Sequence, residues 1–512
     1  MEGYVRKWSA ERKRAKARNW SIELKKAAFT HVVLIGVSTF FFYSLRLAGW
    51  DLIDLHLAIG TVYLVGALIL LLESSTAMFR RFATDAYKQQ LAAGTLNPLR
   101  YSLKVALGIA GARLPVSKQP VPRCSLVIAA YLPNEQDIIL ETIEHILLNV
   151  HRPQAGLEVI LSYNTPMDLP IEGDLRCLAQ RYPELQLLRV EGSCSKAENL
   201  NAALEIVTGE ITCILDADHH PAPDCFVRAW RWIEQGYDVV QGRSVIRNHG
   251  QNLLTETIAV EFEMMYGIVH AAKSFLTDSS IFGGSNGYWR TSVLRQIRFN
   301  PVMLTEDIDA SMRTLLTGYH ILHDRSIIST ELAPVDIQSF WFQRKRWAQG
   351  WLEVALKYQP RIWQSHKLNL WQKIFWTYLL CYCEFYALIA IQIIPLGLSL
   401  SLYRGTIPPA IDQYLWFSTL LTFFSGIYQT LMTAKVASTR YPVIYYIKHM
   451  LLLVPYISFK NVIAMVGIYD LLRGNHDWLV TPRGKQDRYS SVLQEAAIST
   501  SDTSAIDSSD RM

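Results

Sequence analysis

Asp216 and Asp218 sit two residues apart at the end of the apolar run ITCIL, followed by His219, His220 and Pro221. Desolvating charge beside a buried strand is costly, so a pattern of this kind needs a compensating ligand or a turn. Alternate residues leaving a strand converge on one point, and two carboxylates there suit a hard cation such as Mg2+ or Mn2+. Such an ion neutralises a diphosphate leaving group. His219 is a candidate third ligand, whereas His220, ahead of Pro221, reads as structural. A second acid, Asp307, lies in LTEDIDASMRTLL. It reads as a general base, or as one of several acids complementing the dipole of a helix capped by Thr305.

Other stretches add groups of matching chemistry. Lys196 opens SKAENLNAALE and can meet phosphate as a point charge. In the same stretch Ser195 and Glu198 have the spacing of a capping box. IFGGSNGYWR brings Gly284 and Ser285 into a glycine-rich loop where backbone can approach a ligand. SFWFQRKRWAQGWLEV is basic and aromatic, with Trp347 and Trp351 four apart on one helical face. It reads as an amphipathic helix at a membrane surface, with Arg346 suited to a diphosphate and Trp347 to a sugar ring.

These residues need elements to position them. SLVIAA (125–130), LEVILS (157–162), LQLLRV (185–190) and ITCIL (211–215) are apolar runs of strand length, separated by helical patterns. Alternating strands and helices argue for a parallel α/β sheet, which binds ligands beyond the carboxyl ends of its strands. Tyr131, Asn134 and Glu135 fall there after the first strand, and Asp216 and Asp218 after the fourth.

Half of the 512 residues are apolar and only 19% are charged, a balance that points to membrane segments. Apolar spans are read at 31–50, 56–75, 376–403, 414–434 and 443–472, the last broken near Pro455. The basic run from Arg6 to Arg18 leads directly into the first span. It therefore reads as a positive-inside signal, not as a nucleic-acid site. This places a long cytoplasmic insert between two membrane blocks. The expected layout is a basic N-terminus (1–27), a transmembrane hairpin (28–75), a linker (76–123) and a catalytic domain (124–338). Interfacial helices (339–373), a C-terminal membrane block (374–473) and a Ser/Thr/Asp-rich tail (474–512) follow. The seven cysteines contain no C-x-x-C pair and read as reduced thiols.

In this order, the motifs resemble those of membrane-integrated family-2 glycosyltransferases, which include cellulose, chitin and hyaluronan synthases. The matching residues are Asp216-Ala-Asp218, Thr305-Glu306-Asp307 and Gln343-Arg344-Lys345-Arg346-Trp347. The resemblance covers roughly 124–360 by motif and the flanking spans by layout. It implies a GT-A-type, Rossmann-like catalytic domain in a multi-pass protein of the cell membrane. It also implies an inverting hexosyltransferase that uses a UDP-sugar donor, with Mg2+ or Mn2+. Tyr131, Glu135, Asn164, Lys196, Asp216, Asp218, Gln343 and Arg346 would bind the nucleotide-sugar, and Asp216, Asp218 and His219 the metal. Asp307 would be the catalytic base, and Gly284, Ser285 and Trp347 would face the acceptor. One departure stands out: Tyr163 and Asn164 occupy the positions where the family has an acidic pair for the nucleotide base. Two acceptors remain open, a growing polysaccharide made processively and a membrane lipid such as diacylglycerol or ceramide. A non-catalytic transporter would leave the acids of the insert unexplained. Oligomeric state is not encoded in any of these motifs.

Overall fold

The computed structural model describes residues 2–79, 93–95, 97, 99–100, 114–400, 408–439 and 441–475. The tail from 476 onward and most of the linker expected at 76–123 lie outside the described residues. An eight-stranded sheet forms the centre, built from β1 (Cys124–Tyr131), β2 (Leu157–Asn164), β3 (Leu185–Arg189), β4 (Ile211–Asp216), β5 (His220–Pro221), β6 (Val239–Ile246), β7 (Gly287–Arg290) and β8 (Ile321–Glu331). Their order is β3-β2-β1-β4-β7-β6-β8-β5. The four strands read from the sequence are β1 to β4, and their pairings are all parallel. β7 runs antiparallel to both β4 and β6, and so joins the parallel half to the β6–β8 pair.

The helices that matter here are α1 (Glu2–Leu47), α2 (Ile53–Phe79), α3 (Ile139–Asn149), α4 (Lys196–Ala203), α5 (Leu253–Met264), α6 (Glu306–Thr317), α7 (Ile337–Gln364), α8 (Pro409–Val436) and α9 (Val443–Leu472). α3 buries Ile139, Ile143, Ile146 and Leu147, spaced four, three and one apart along one face. They pack on Leu126 and Ile128 of β1, while Val127 and Ala129 point to the opposite core with Leu200 of α4. This alternation with both faces covered explains why β1 reads as a continuous apolar run. Each fully buried aliphatic side chain contributes about 1.5–3 kcal/mol. Register then sets the site: Tyr131 lies opposite Asn164 and Ala129 opposite Asp216, so their strands end along one edge.

Among the described residues, three helical stretches are long and apolar enough to cross a membrane: Trp20–Leu47, Ile53–Met78 and Val443–Leu472. The pair Leu370–Tyr382 and Phe385–Ser399, bent by 54°, makes a fourth if taken as one span. The last two expected spans differ in outcome, and one of them is corrected. The segment at 414–434 is helical, as part of α8, but is not among these apolar spans; it lies along α2, and Thr422 and Ser418 donate hydrogen bonds to α2 carbonyls. α9 is one continuous helix through Pro455, not a broken one. Packing outweighs the lost backbone bond, because Phe459 lies against Phe340 and Trp341 of α7 just beyond the proline.

Buried ion networks tie the sheet domain to these helices. Lys345 of α7 reaches Asp470 of α9 at 2.8 Å and Glu23 of α1 at 2.9 Å, while Lys26 reaches the same two acids at 2.6 and 3.1 Å. Arg243 of β6 pairs with Glu263 of α5, which also accepts from the Ser438 hydroxyl at 2.7 Å just past α8. Removing one partner from such a network leaves uncompensated buried charge. Asp470→Ala is therefore expected to destabilise the protein by roughly 3 kcal/mol in equilibrium unfolding measured in detergent micelles. An unchanged unfolding midpoint would show that the network does not hold α1, α7 and α9 together.

Candidate active site

The carboxyl edge of β1, β2 and β4 opens into a cavity of about 200 Å³. β4 delivers Asp216, whose backbone N–H donates to Ser285 Oγ at 3.0 Å. α4 delivers Lys196 through the capping box expected from the sequence: Ser195 accepts from the Glu198 N–H, and the Glu198 carboxylate caps the turn. The Lys196 ammonium then lies 2.5 Å from Asp216 Oδ1 and 3.7 Å from Glu306 Oε1, and donates to the Gly284 carbonyl at 2.7 Å. Burial opposes the charge on Lys196, but Asp216, Glu306 and Asp307 outweigh it, so its pKa lies above the ordinary lysine value.

α6 delivers three acids in its first turn, and they divide by direction. Asp309 turns inward, where Lys357, Tyr358 and Arg313 hold it. Glu306 and Asp307 line the cavity. Burial, reinforced by the neighbouring Glu306, pushes Asp307 up to about 7, against the lowering effects of Lys196, the Ile308 N–H and Arg346. A carboxyl poised there can exchange a proton near neutral pH. Thr305 does not cap this helix; its hydroxyl is buried without a partner. It packs on α7 instead, where a Cβ on Gly350 would fall 2.5 Å from Thr305 Cγ2.

Asp216, Asp218 and His219 each offer a ligand atom, all within 4.8 Å of one another. Two carboxylates and an imidazole suit a divalent cation that keeps open positions. Their settings differ. Asp216 lines the cavity, whereas Asp218 is fully buried beneath it and accepts the Leu332 N–H at 3.2 Å. His219 contacts Ser329 Oγ through Nδ1 at 3.1 Å, and its Nε2 lies 3.6 Å from Glu331. Burial disfavours its charge, but Glu331 and the two aspartates prevail and raise its pKa. His220 is structural as expected, stacked on His145 at 4.4 Å.

The remaining expected residues converge on the same cavity: Tyr131, Glu135, Asn164, Gly284, Ser285, Gln343, Arg346 and Trp347 all line it. Asn164 accepts from Asn199 and donates to the Ser193 carbonyl, both at 2.8 Å. Glu135 accepts the Tyr131 N–H at 2.8 Å. Gln343 presents a buried amide oxygen without a partner. Sequence reasoning missed Glu331, although it ends β8 as Asp216 ends β4. It also missed Tyr266 and His270, which come from a π-helical turn, Met265–His270, with no local signature. A second cavity of about 490 Å³ lies against Phe375, Leu379, Tyr386 and α9. Met265, His270, Ile281, Trp347 and Trp351 line both cavities.

Comparison with known proteins agrees with this geometry. The family description "Glycosyl transferase family group 2" matches residues 211–457. The probable glycosyltransferase YdaM of Bacillus subtilis is 23% identical over 329 residues, covering 62% of this chain and 76% of that protein. The poly-β-1,6-N-acetyl-D-glucosamine synthase of Staphylococcus epidermidis is 26% identical over 285 residues, covering 53% and 67%. Among solved structures, a mannosyltransferase of Pyrobaculum calidifontis, solved with GDP-Man and Mn2+, superposes with a TM-score of 0.50 at 18% identity. That match covers 78% of this chain and 98% of the other. The fold is thus a GT-A-like glycosyltransferase domain flanked by apolar helices at both ends. The protein is a glycosyltransferase, and its residues 211–457 are similar to family group 2.

Gly284 has φ +87°, and a Cβ there would lie 2.8 Å from Asp307 Oδ2. Gly284→Ala is expected to lower glycosyl transfer by roughly 100-fold by displacing that carboxyl, measured as initial rate in membranes at equal protein level. A rate within twofold of wild type would show that the loop does not set the position of Asp307.

Proposed function

We propose that the protein transfers a sugar from a UDP-sugar to a hydroxyl of a growing polysaccharide, inverting the anomeric carbon. The observation that carries this reading is the shared wall at Trp347 and Trp351, where the cavity holding Asp307 meets the larger one among the membrane helices. A polymer end can reach the acid there while the chain behind it enters the membrane block. The named activity of the Staphylococcus epidermidis relative supports a polymeric product. In this reading the sheet domain faces the cytoplasm, where nucleotide-sugars are held.

Tyr131, Glu135 and Asn164 border the nucleoside; Asn164 has one amide hydrogen beyond those it uses. Lys196, Gln343 and Arg346 face the diphosphate. Asp216 and Asp218, with His219, would hold Mg2+ or Mn2+, which supplies charge neutralisation for the leaving diphosphate. Gly284, Ser285 and Trp347 position the acceptor. Asp307 takes the hydroxyl proton of the acceptor as its oxygen attacks the anomeric carbon. The bond to the diphosphate breaks, and UDP leaves with the electron pair. The carboxylate serves as base only when deprotonated, so activity requires a pH above its pKa.

The test supplies the full-length protein in membranes with each radiolabelled UDP-sugar and Mg2+ or Mn2+. Label is expected in a high-mass polymer, lost on chelation with EDTA and reduced roughly 10²–10⁴-fold in Asp307→Asn. Label in a chloroform-soluble lipid would instead establish the glycolipid reading. Incorporation unaffected by Asp307→Asn would remove Asp307 as the base.

A further inference from the structure

Three unpartnered buried polar atoms belong to residues lining the larger cavity; one, Arg344 Nε, sits on a guanidinium already paired with Glu261, and the reaction above uses neither of the other two. His270 Nδ1 and Ser280 Oγ have no hydrogen-bond partner, and their residues are only 8% and 4% exposed. Both residues line the larger cavity, and His270 lines the smaller one as well. Native proteins seldom leave such groups unsatisfied, so each calls for an explanation.

The local structure directs His270 to this place. It closes the π-helical turn Met265–His270, an irregularity that recurs at functional sites. Tyr266 and His323 brace it, with ring centroids 5.0 and 5.6 Å away. His323 Nε2 contacts the Tyr266 carbonyl at 2.8 Å and so fixes the turn. Burial, with His323 and Lys273 nearby, holds His270 well below the ordinary histidine pKa. The ring is therefore neutral and offers one donor and one acceptor. Ser280 adds a hydroxyl that both donates and accepts.

An acyl chain in this cavity would leave both atoms unpaired and desolvated. A sugar hydroxyl satisfies them, and Trp347 and Trp351 add aromatic surface to the same wall. We propose that His270 and Ser280 are specificity-determining residues that read hydroxyl groups of the sugar unit behind the acceptor end, so that the larger cavity takes a saccharide and not an acyl chain. The proposal deepens the polymer reading and rests on it for the identity of the acceptor.

Trp347, Trp351 and Trp376 line the larger cavity and report on its occupancy. The experiment titrates the full-length protein in lipid nanodiscs with cellohexaose, chitohexaose, mannohexaose and dioctanoylglycerol, following intrinsic tryptophan fluorescence. At least one hexasaccharide is expected to bind. Its Kd should rise about tenfold in His270→Phe and in Ser280→Ala, and stay within about twofold of wild type in His270→Gln, whose amide keeps a donor and an acceptor. If His270→Phe fails to fold, Ser280→Ala and His270→Gln carry the comparison. Equal saccharide affinity across the variants, binding of dioctanoylglycerol alone, or no binding at all would overturn the proposal. Variant-sensitive saccharide binding without sugar transfer from any UDP-sugar would support it while removing the polymer synthase reading.

Discussion

The ammonium of Lys196 is the interaction on which the site depends. Without an opposing charge, Asp216, Glu306 and Asp307 would face one another across a partly desolvated cavity. Their repulsion would be strong in such a medium. Lys196 contacts Asp216 and Glu306 and ties them to the Gly284 carbonyl. It thereby fastens three separate pieces of chain, the end of β4, the first turn of α6 and the glycine loop. The capping box at Ser195 fixes where that ammonium stands. The same ion also counters the effect of burial on Asp307, which keeps that carboxyl near neutrality instead of far above it.

A second constraint comes from α7, which belongs to both halves of the molecule. One part of its surface supplies Gln343, Arg346 and Trp347 to the cavity. Another places Lys345 between Glu23 of α1 and Asp470 of α9. Arg344 joins Glu261 of α5 at 2.5 Å, and that acid also binds Lys460 of α9. One basic motif thus turns Gln343, Arg346 and Trp347 to the cavity and Arg344 and Lys345 to the flanking helices. A shift of the membrane helices would therefore move the groups that line the cavity.

Much of this was legible in the sequence because it rests on local pattern. β1 to β4 are apolar runs, the capping box is a four-residue spacing, and the strand-end acids follow from the geometry of parallel sheets. What was not legible depends on contacts between distant segments. Lys196 reads as a free point charge for phosphate, and only the fold brings Asp216 and Glu306 to it. Nothing local distinguishes Asp309, locked by Lys357 and Tyr358, from Asp307, which faces the cavity. Asp218 has the spacing of a cavity ligand but is covered by the turn after β8. The unbroken course of α9 through Pro455 likewise reflects packing on α7, which a helix-breaking rule does not register.

The pH profile of kcat/KM in wild type and Lys196→Met tests the central role of this ammonium most directly. The acid limb reports the free-enzyme pKa of the base. In wild type it should fall near pH 7, with activity rising as Asp307 loses its proton. Removing the ammonium removes an influence that lowers that pKa, so the limb should move to higher pH in Lys196→Met. A limb that stays at the wild-type position would contradict the account.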